Sequence, residues 1–513
     1  MMQRLLVVLC LFDVQEVAGW NSFILNDQGR RVLTRRGRGI SKATTIEEDI
    51  SIEKANKIFE WHRQWYPMAV TEFLDEKRPL PMQLMGKSLV AWKSEQQGWK
   101  IFDDACPHRL APLSEGRVEN DGTLLCAYHA WRFNADGTCV SMPQAKDLEN
   151  FATCSVPSYP VREIDGLLWV FGDNSDEGRM MAALSEPKKR DEIDDPNAKR
   201  LHWNIRDLPY GYDFFLENVM DPAHVTVSHH NIVGNRYIKD QYYDMKMIQS
   251  PTLEGFAFKT IPRNPNPNAP YSTTEFRAPS LVKITTTYPK NDAQQILYLY
   301  ITPSSKPGFS RHIGSQVLVK GKDNKLPAGL AFFALPMPIW LNHILASTFL
   351  HQDQAFLHHQ EVILANKGYH PRYRENNIDP SHAEEQKYSS LVFTPNPQDK
   401  MVLTFRNWLR NVGQGGVPWV NHQYTPPQRI MDSRQLYDVY SAHTKNCKIC
   451  LTALKNIKRV RFFSTIAAAI TLATIKDTFR ALFGAAAFGL IALLSHKLIS
   501  LFYIYEFSHA DND

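Results

Sequence analysis

What this sequence has little of narrows the field first. Only seven cysteines occur in 513 residues: Cys10, Cys106, Cys126, Cys139, Cys154, Cys447 and Cys450. So sparse a set excludes the disulfide framework that staples small secreted domains. An excess of one charge is also missing, with 58 Lys and Arg against 53 Asp and Glu and a net charge of +5. That balance is too mild and too dispersed for a surface that neutralises phosphates, so nucleic acid is not expected as a partner. Long apolar runs are scarce. Leu5 to Phe12 is short, and the two late runs, 462–475 and 481–494, have 14 residues each. None alone reaches the ~20 residues of a full membrane span. The remainder, 43% apolar and 22% charged, is ample for two packed domains.

What is present is organised around Cys106-Pro-His108 and Cys126-Ala-Tyr-His129, separated by a gap of 17 residues. Two thiolates and two imidazoles in paired tight loops hold either one tetrahedral zinc or a [2Fe–2S] cluster with two histidines on one iron. Zinc knuckles pair like ligands, because both residues of a knuckle bind one ion. Here each knuckle offers one Cys and one His, which suits a cluster whose first iron takes both sulfurs and whose second takes both nitrogens. The pattern resembles a Rieske cluster-binding motif. Pro107 and turns at Gly116 and Gly137 are expected to let backbone approach the cluster.

The chain around this motif divides by pattern. Residues 1–50 form a leader, with a short apolar core and then Arg30, Arg31, Arg35, Arg36 and Arg38 among Ser and Thr. A signal followed by a transit-like stretch suits a plastid reached through the secretory route, and a basic leader without structure fits as well. Residues 58–175 alternate short apolar runs with Gly, Asp and Pro turns, as expected of a small all-β domain. Residues 176–200 are charged and lack apolar periodicity, which predicts a linker. Residues 201–445 mix strand-like runs such as Ser280 to Tyr288 with helical stretches. The fold class expected is α+β, an antiparallel-sheet catalytic domain of helix-grip-like form beside the small β domain.

Within the second domain lies Asn218-Val-Met-Asp221-Pro-Ala-His224-Val-Thr-Val-Ser-His229. At about 100° per residue, His224 and His229 stand ~140° apart on an ideal helix. They meet at one metal only if the helix kinks or ends between them, which Pro222 and the β-branched Val225, Thr226 and Val227 favour. Two histidines and one carboxylate with open positions form the site of an O2-activating non-haem Fe(II). The carboxylate expected is Asp353, on an amphipathic helix whose Phe349, Phe356 and Leu357 face the core. Glu361 is the weaker candidate, and His351, His358 and His359 are bystanders.

Together these motifs are similar to those of Rieske-type mononuclear non-haem iron oxygenases, and within them to the plastid pheophorbide a oxygenase-like branch. Trp65-Tyr-Pro-Met, Asp103 to Gly116, the His443 to Cys450 segment and the paired late apolar runs carry the closer likeness. The resemblance implies ferredoxin as electron donor, O2 as oxidant and a tetrapyrrole as substrate. It also implies a homotrimer in which the cluster faces a neighbour's iron, with Asp221 bridging His224 to a cluster histidine. Asp221 fits equally a helix cap before Pro222, and Asn218 either supports the iron or is a plain helix polar. Histidine ligation raises the cluster's potential, so transfer from a plant-type ferredoxin runs downhill. Phe214, Phe215 and Val219 are expected to line the substrate pocket.

The end of the chain adds two features. Cys447-Lys-Ile-Cys450 in residues 446–455 has dithiol spacing, and the resemblance implies a thioredoxin-responsive pair. A zinc knuckle there needs two further ligands, of which only His443 lies close in sequence. Residues 460–506 are expected to anchor the chain to a plastid membrane, thylakoid or inner envelope, with Lys455, Lys458, Arg459 and Arg461 suited to anionic lipid.

Overall fold

A computed structural model describes residues 58–145, 154–232, 234–237, 243–262, 266–326, 330, 336–369, 388–420 and 425–509. The basic leader lies outside the described residues. Residues 58–171 build three small antiparallel sheets. Trp65–Val70 pairs with Leu167–Phe171, which pairs with Val161–Ile164. Leu80–Leu84, Lys87–Ser94, Gly98–Asp103 and Ser158–Tyr159 form the second. The third consists of Arg117–Val118, Leu124–Leu125, Arg132–Phe133 and Cys139–Ser141. It has its own core, in which Trp92, Phe102, Leu113, Leu124 and Phe133 pack around Cys106 and Cys126. Short strands closed over a shared aromatic core give the ligand loops a rigid base.

The second body is one eight-stranded antiparallel sheet. Its order runs Ala198–Arg200, Ser310–Val319, Ala293–Pro303, Leu281–Tyr288, Tyr271–Arg277, Gly255–Pro262 and Tyr243–Thr252, and Asn204–Leu208 also pairs with Ser310–Val319. Ile, Thr and Tyr recur along these strands, as the pleated, half-buried surface favours. The two bodies share a core: Phe59 and Phe276 meet Trp408 edge-on at 5.1 and 4.9 Å, and Trp61 Nε1 donates to Gly413 O at 2.9 Å.

The helices that matter are α1 (Asp176–Leu184), α2 (Tyr212–Met220), α3 (Ala223–Ser228), α4 (Ile339–Asn366), α5 (Lys400–Asn411), α6 (Lys448–Thr474) and α7 (Thr478–Ser500). Segment 176–200 is more than a connection. Ser175 caps α1 by accepting from Gly178 N at 3.1 Å. Arg190 forms a buried bidentate pair with Asp165 at 2.7 and 2.6 Å, and Asp191 pairs with Arg277 and Lys283. Its charges are therefore spent on specific partners, which composition cannot reveal.

Helix α4 meets the expected core face only in part. Leu357 is buried, but Phe349 and Phe356 are 37% and 51% exposed. Beside Leu357, Ile344 and Val362 the buried face carries His343, Ser347, His351, Gln352, Asp353, Gln354, His358 and Glu361. Burying polar groups is tolerable only when each finds a partner. Arg206 meets His351, while His358 lies between Pro209 O at 2.7 Å and Ile430 N at 2.9 Å. Helices α6 and α7 form an antiparallel hairpin whose apolar side chains, Phe462, Phe463, Phe479 and Phe483 among them, are exposed.

Candidate active site

The two knuckles share one design. Cys106 N donates to Ala111 O at 2.8 Å and Leu110 N to Cys106 O at 2.8 Å. In the other loop Cys126 N donates to Trp131 O and Ala130 N to Cys126 O, both at 2.9 Å. The fourth residue after each cysteine, Leu110 or Ala130, has φ near +58°. Gly116 locks one loop to the other: a Cβ there would stand 2.1 Å from Leu125 O. The close approach the glycine permits is thus to the strand that feeds Cys126, and not to the cluster itself.

Cys106 and Cys126 are buried, and the rings of His108 and His129 lie 4.4 Å apart at 69°. Burial pushes the Cys106 thiol up to about 12, with Cys126 beside it adding to the rise. Two facing buried thiols ionise only against a cation. His108 Nδ1 and His129 Nδ1 are buried with no hydrogen-bond partner among the described residues, so both fit ligation through Nδ1. Two supports were invisible in the motif. Trp131 stacks on His108 at 4.5 Å and 9°, and Gln144 joins Trp131 Nε1 to His129 O.

The second site forms where α3 ends. Asp221 breaks the chain out of α2 with φ −93° and ψ 109°, Pro222 starts the next turn, and His229 leaves it with φ −94° and ψ 35°. The helix ends between the two histidines, and their ligand atoms, with one from Asp353, lie within 4.8 Å of one another. Asp353 Oδ2 stands 3.8 Å from His224 Nε2 and 3.2 Å from His229 Nε2, which has no well-formed hydrogen bond. The opposite atoms are engaged: His224 Nδ1 with Asp221 O at 2.6 Å, His229 Nδ1 with Gln352 Oε1 at 2.9 Å, and Asp353 Oδ1 with Ser228 Oγ. That arrangement frees two Nε2 atoms and one carboxylate oxygen for a metal. Burial works against charge on Asp353, but His229, His224 and Ser228 outweigh it and hold the carboxyl below its ordinary range.

Other expected residues fall into place differently. Asp221 caps the turn, accepting from Ala223 N at 2.7 Å, with Oδ2 3.9 Å from His224 Nδ1. Asn218 accepts from Asp221 N through its backbone carbonyl. Glu361 is away from the triad, accepting from Gly211 N at 2.7 Å beside Asp213. Phe214 and Phe215 do not line an open pocket. They are 2% exposed, Phe214 under the Arg406 guanidinium at 4.8 Å and Phe215 against His312 at 4.6 Å. Phe349 instead lies on the His229 ring at 3.7 Å and 22°. Cys447 and Cys450 are buried and unpaired with each other as a disulfide.

Residues 64–160 match the Rieske [2Fe-2S] domain family, and residues 276–370 match the pheophorbide a oxygenase family. The chloroplastic pheophorbide a oxygenase of Oryza sativa subsp. japonica is 31% identical over 490 residues, covering 91% of this chain and 88% of the relative. The chain belongs to the pheophorbide a oxygenase family. The Arabidopsis thaliana pheophorbide a oxygenase is 31% identical across 82% of this chain and 77% of its own length. The protochlorophyllide-dependent translocon component 52 of Arabidopsis thaliana is 27% identical across 90% and 88%. As a Rieske oxygenase, this family member has a [2Fe–2S] cluster and a mononuclear non-haem iron as its cofactors. The orphaned imidazole nitrogens and the paired thiols fit those groups.

Proposed function

We propose that this oxygenase uses O2 to open the macrocycle of pheophorbide a, fed one electron at a time by ferredoxin. The observation that carries the reading is the completed triad of His224, His229 and Asp353 in the chain that also bears the cluster loops. A pure electron relay has no use for such a triad. In this reading residues 58–175 hold the cluster through Cys106, His108, Cys126 and His129, and residues 201–445 hold the iron. Iron so bound supplies activation of O2. Asp221 O and Gln352 orient the histidines, Ser228 aims Asp353, and Phe349 presents a half-exposed aromatic face beside His229 for an apolar ring.

A homotrimer with ferredoxin docking near the knuckles belongs to the same proposal. In its support, Leu110 and Tyr128 beside the cluster histidines are 74% and 63% exposed, apolar groups at the loop tips that a docking partner would cover. The partly exposed Asp221 carboxylate, 3.9 Å from His224 Nδ1, suits a bridge to a neighbour's cluster histidine. The α6–α7 hairpin anchors the chain to a plastid membrane: α7 has 23 residues, mean hydropathy 1.8 over its most apolar window and little burial. Burial of both thiols, each 1% exposed, does not favour thioredoxin as a partner for Cys447 and Cys450.

A second reading, hydroxylation of another apolar ring such as protochlorophyllide or a phyllobilin, draws support from the breadth of the relatives. One of them is the flavonoid 8-hydroxylase 2 of Ocimum basilicum, 27% identical over 90% of this chain. The test incubates purified full-length protein with ferredoxin, its reductase, O2 and each tetrapyrrole in turn. Consumption of pheophorbide a with loss of its macrocycle absorption is the expected result. Consumption of protochlorophyllide alone would overturn the substrate while leaving the oxygenase intact.

A further inference from the structure

A second cluster of ligand atoms lies where α4 meets the base of the hairpin, and no step of the oxygenation uses it. His343 from α4, His443 from the turn before α6, and Cys447 and Cys450 from the first turn of α6 bring four ligand atoms within 4.8 Å of one another. All four residues are at least nine-tenths buried. His343 Nδ1 stands 3.0 Å from His443 Nε2, 3.2 Å from Cys450 Sγ and 3.9 Å from Cys447 Sγ; His443 Nε2 is 3.3 Å from Cys450 Sγ. With Zn–S ≈ 2.3 Å and Zn–N ≈ 2.0–2.1 Å, the edges of a tetrahedral S2N2 site are about 3.3 to 3.8 Å. The observed separations bracket that range.

The surroundings fix the polarity of the cluster. His343 Nε2 faces Trp203 O at 3.3 Å and His443 Nδ1 faces Ile205 O at 2.7 Å. A carbonyl accepts only, so these nitrogens carry the protons and the two inward nitrogens present lone pairs. Two lone pairs 3.0 Å apart, walled by two sulfurs, repel each other, and a cation held between them and two thiolates relieves that repulsion. Backbone carbonyls on the outer nitrogens are also the usual way metal-binding histidines are oriented. Cys447 caps α6, its sulfur accepting from Cys450 N at 3.5 Å, a helix terminus that favours thiolate. A cleft lined by Phe73, Leu74, His443, Asn446 and Cys447 supplies an entry path.

We propose that His343, His443, Cys447 and Cys450 form a tetrahedral zinc site that staples the C-terminal hairpin to the helix bearing Asp353. Four protein ligands and no position for water make it structural. His343 lies ten residues before Asp353 on α4, ~15 Å along its axis. Without the metal, the first turn of α6 loses its tie to α4 while the triad keeps all of its own residues.

The test measures total metal in full-length protein purified in detergent with a thiol reductant and excess ZnCl2, then desalted. One zinc beside three irons per chain is expected. Cys450→Ser and His343→Ala should each lower zinc at least tenfold and leave the iron count at three. Replacement by Co2+ should give the intense visible absorption of a tetrahedral thiolate site in the wild type. Zinc absent from the wild type, a fourth iron in its place, or zinc retained in both variants overturns the proposal. So does a Cys447–Cys450 disulfide in protein alkylated at harvest, which would assign the pair to redox chemistry. If a variant fails to fold, the wild-type metal count and the Co2+ spectrum decide. None of these readouts depends on oxygenase turnover.

Discussion

At the scale of single residues, two carboxyls on α4 show how environment assigns different work to the same chemistry. Asp353 is held below its ordinary range by His229, His224 and Ser228 against the opposition of burial, so it is ready as an anionic ligand. Asp353→Asn should lower iron from three to two atoms per chain and leave the cluster's visible spectrum intact. Ser228→Ala removes only the donor to Asp353 Oδ1, and orienting partners of this kind are typically worth 10–100-fold. A roughly tenfold loss of mononuclear iron affinity, measured by chelator competition, is expected. Glu361 behaves oppositely: burial, followed by the charge of Asp213, raises it from 4.5 to about 8. A carboxyl with a raised folded value binds its proton more tightly in the fold than in the unfolded chain. Its stabilising effect is therefore complete below the unfolded value and is lost as pH rises through about 8. Glu361→Gln keeps the acceptor for Gly211 N and has no charge to gain. The melting temperature of Glu361→Gln relative to wild type should therefore climb between pH 5.5 and pH 8.5. A flat difference would show that Glu361 ionises without cost in the fold.

At the scale of elements, legibility in the sequence followed how local each interaction is. The knuckles were readable because Cys106 and His108, and Cys126 and His129, are tied within six residues by their own backbone bonds. The break between His224 and His229 was readable from Pro222 and helix geometry. Helix α4 was not, because its inward His351, Gln352, His358 and Glu361 meet Arg206, His229, Pro209, Ile430 and Gly211, at positions that periodicity cannot connect. The same distance hid His343 from the Cys447 pair a hundred residues later, although His443 was within reach. The linker expected over 176–200 missed α1, although Ser175 followed by Asp176 and Glu177 is a helix-start signal that could have marked it. Among these elements the cluster loop offers the sharpest test. Gly116→Ala would drive a Cβ into Leu125 O, and backbone on backbone cannot yield as a flexible side chain does. The expected outcome is a several-fold loss of the cluster's visible absorption with the mononuclear iron retained.

At the scale of the whole molecule, the two metal centres sit on bodies that share a core through Phe59, Trp61, Phe276 and Trp408. That shared packing ties each body to the other within a chain, so the proposed electron path between neighbouring chains would call for a fixed ring rather than a swinging domain. In the ring proposed above, the exposed Leu110 and Tyr128 would be the contact surface at the cluster end and Asp221 a polar one at the iron end. If α7 enters a membrane as proposed, the hairpin would hold every subunit of such a ring at the same depth. This arrangement makes a quantitative prediction. His129→Ala removes the cluster but leaves the iron, while His224→Ala removes the iron but leaves the cluster, and each alone should be inactive. Co-expressed in equal amounts, half of the subunits retain iron, and about half of those face a neighbour with a working cluster in a head-to-tail ring. Activity per subunit should therefore recover to about one quarter of wild type. Mixing the two proteins after separate assembly should recover almost none, and zero activity on co-expression would mean that electrons pass within one chain.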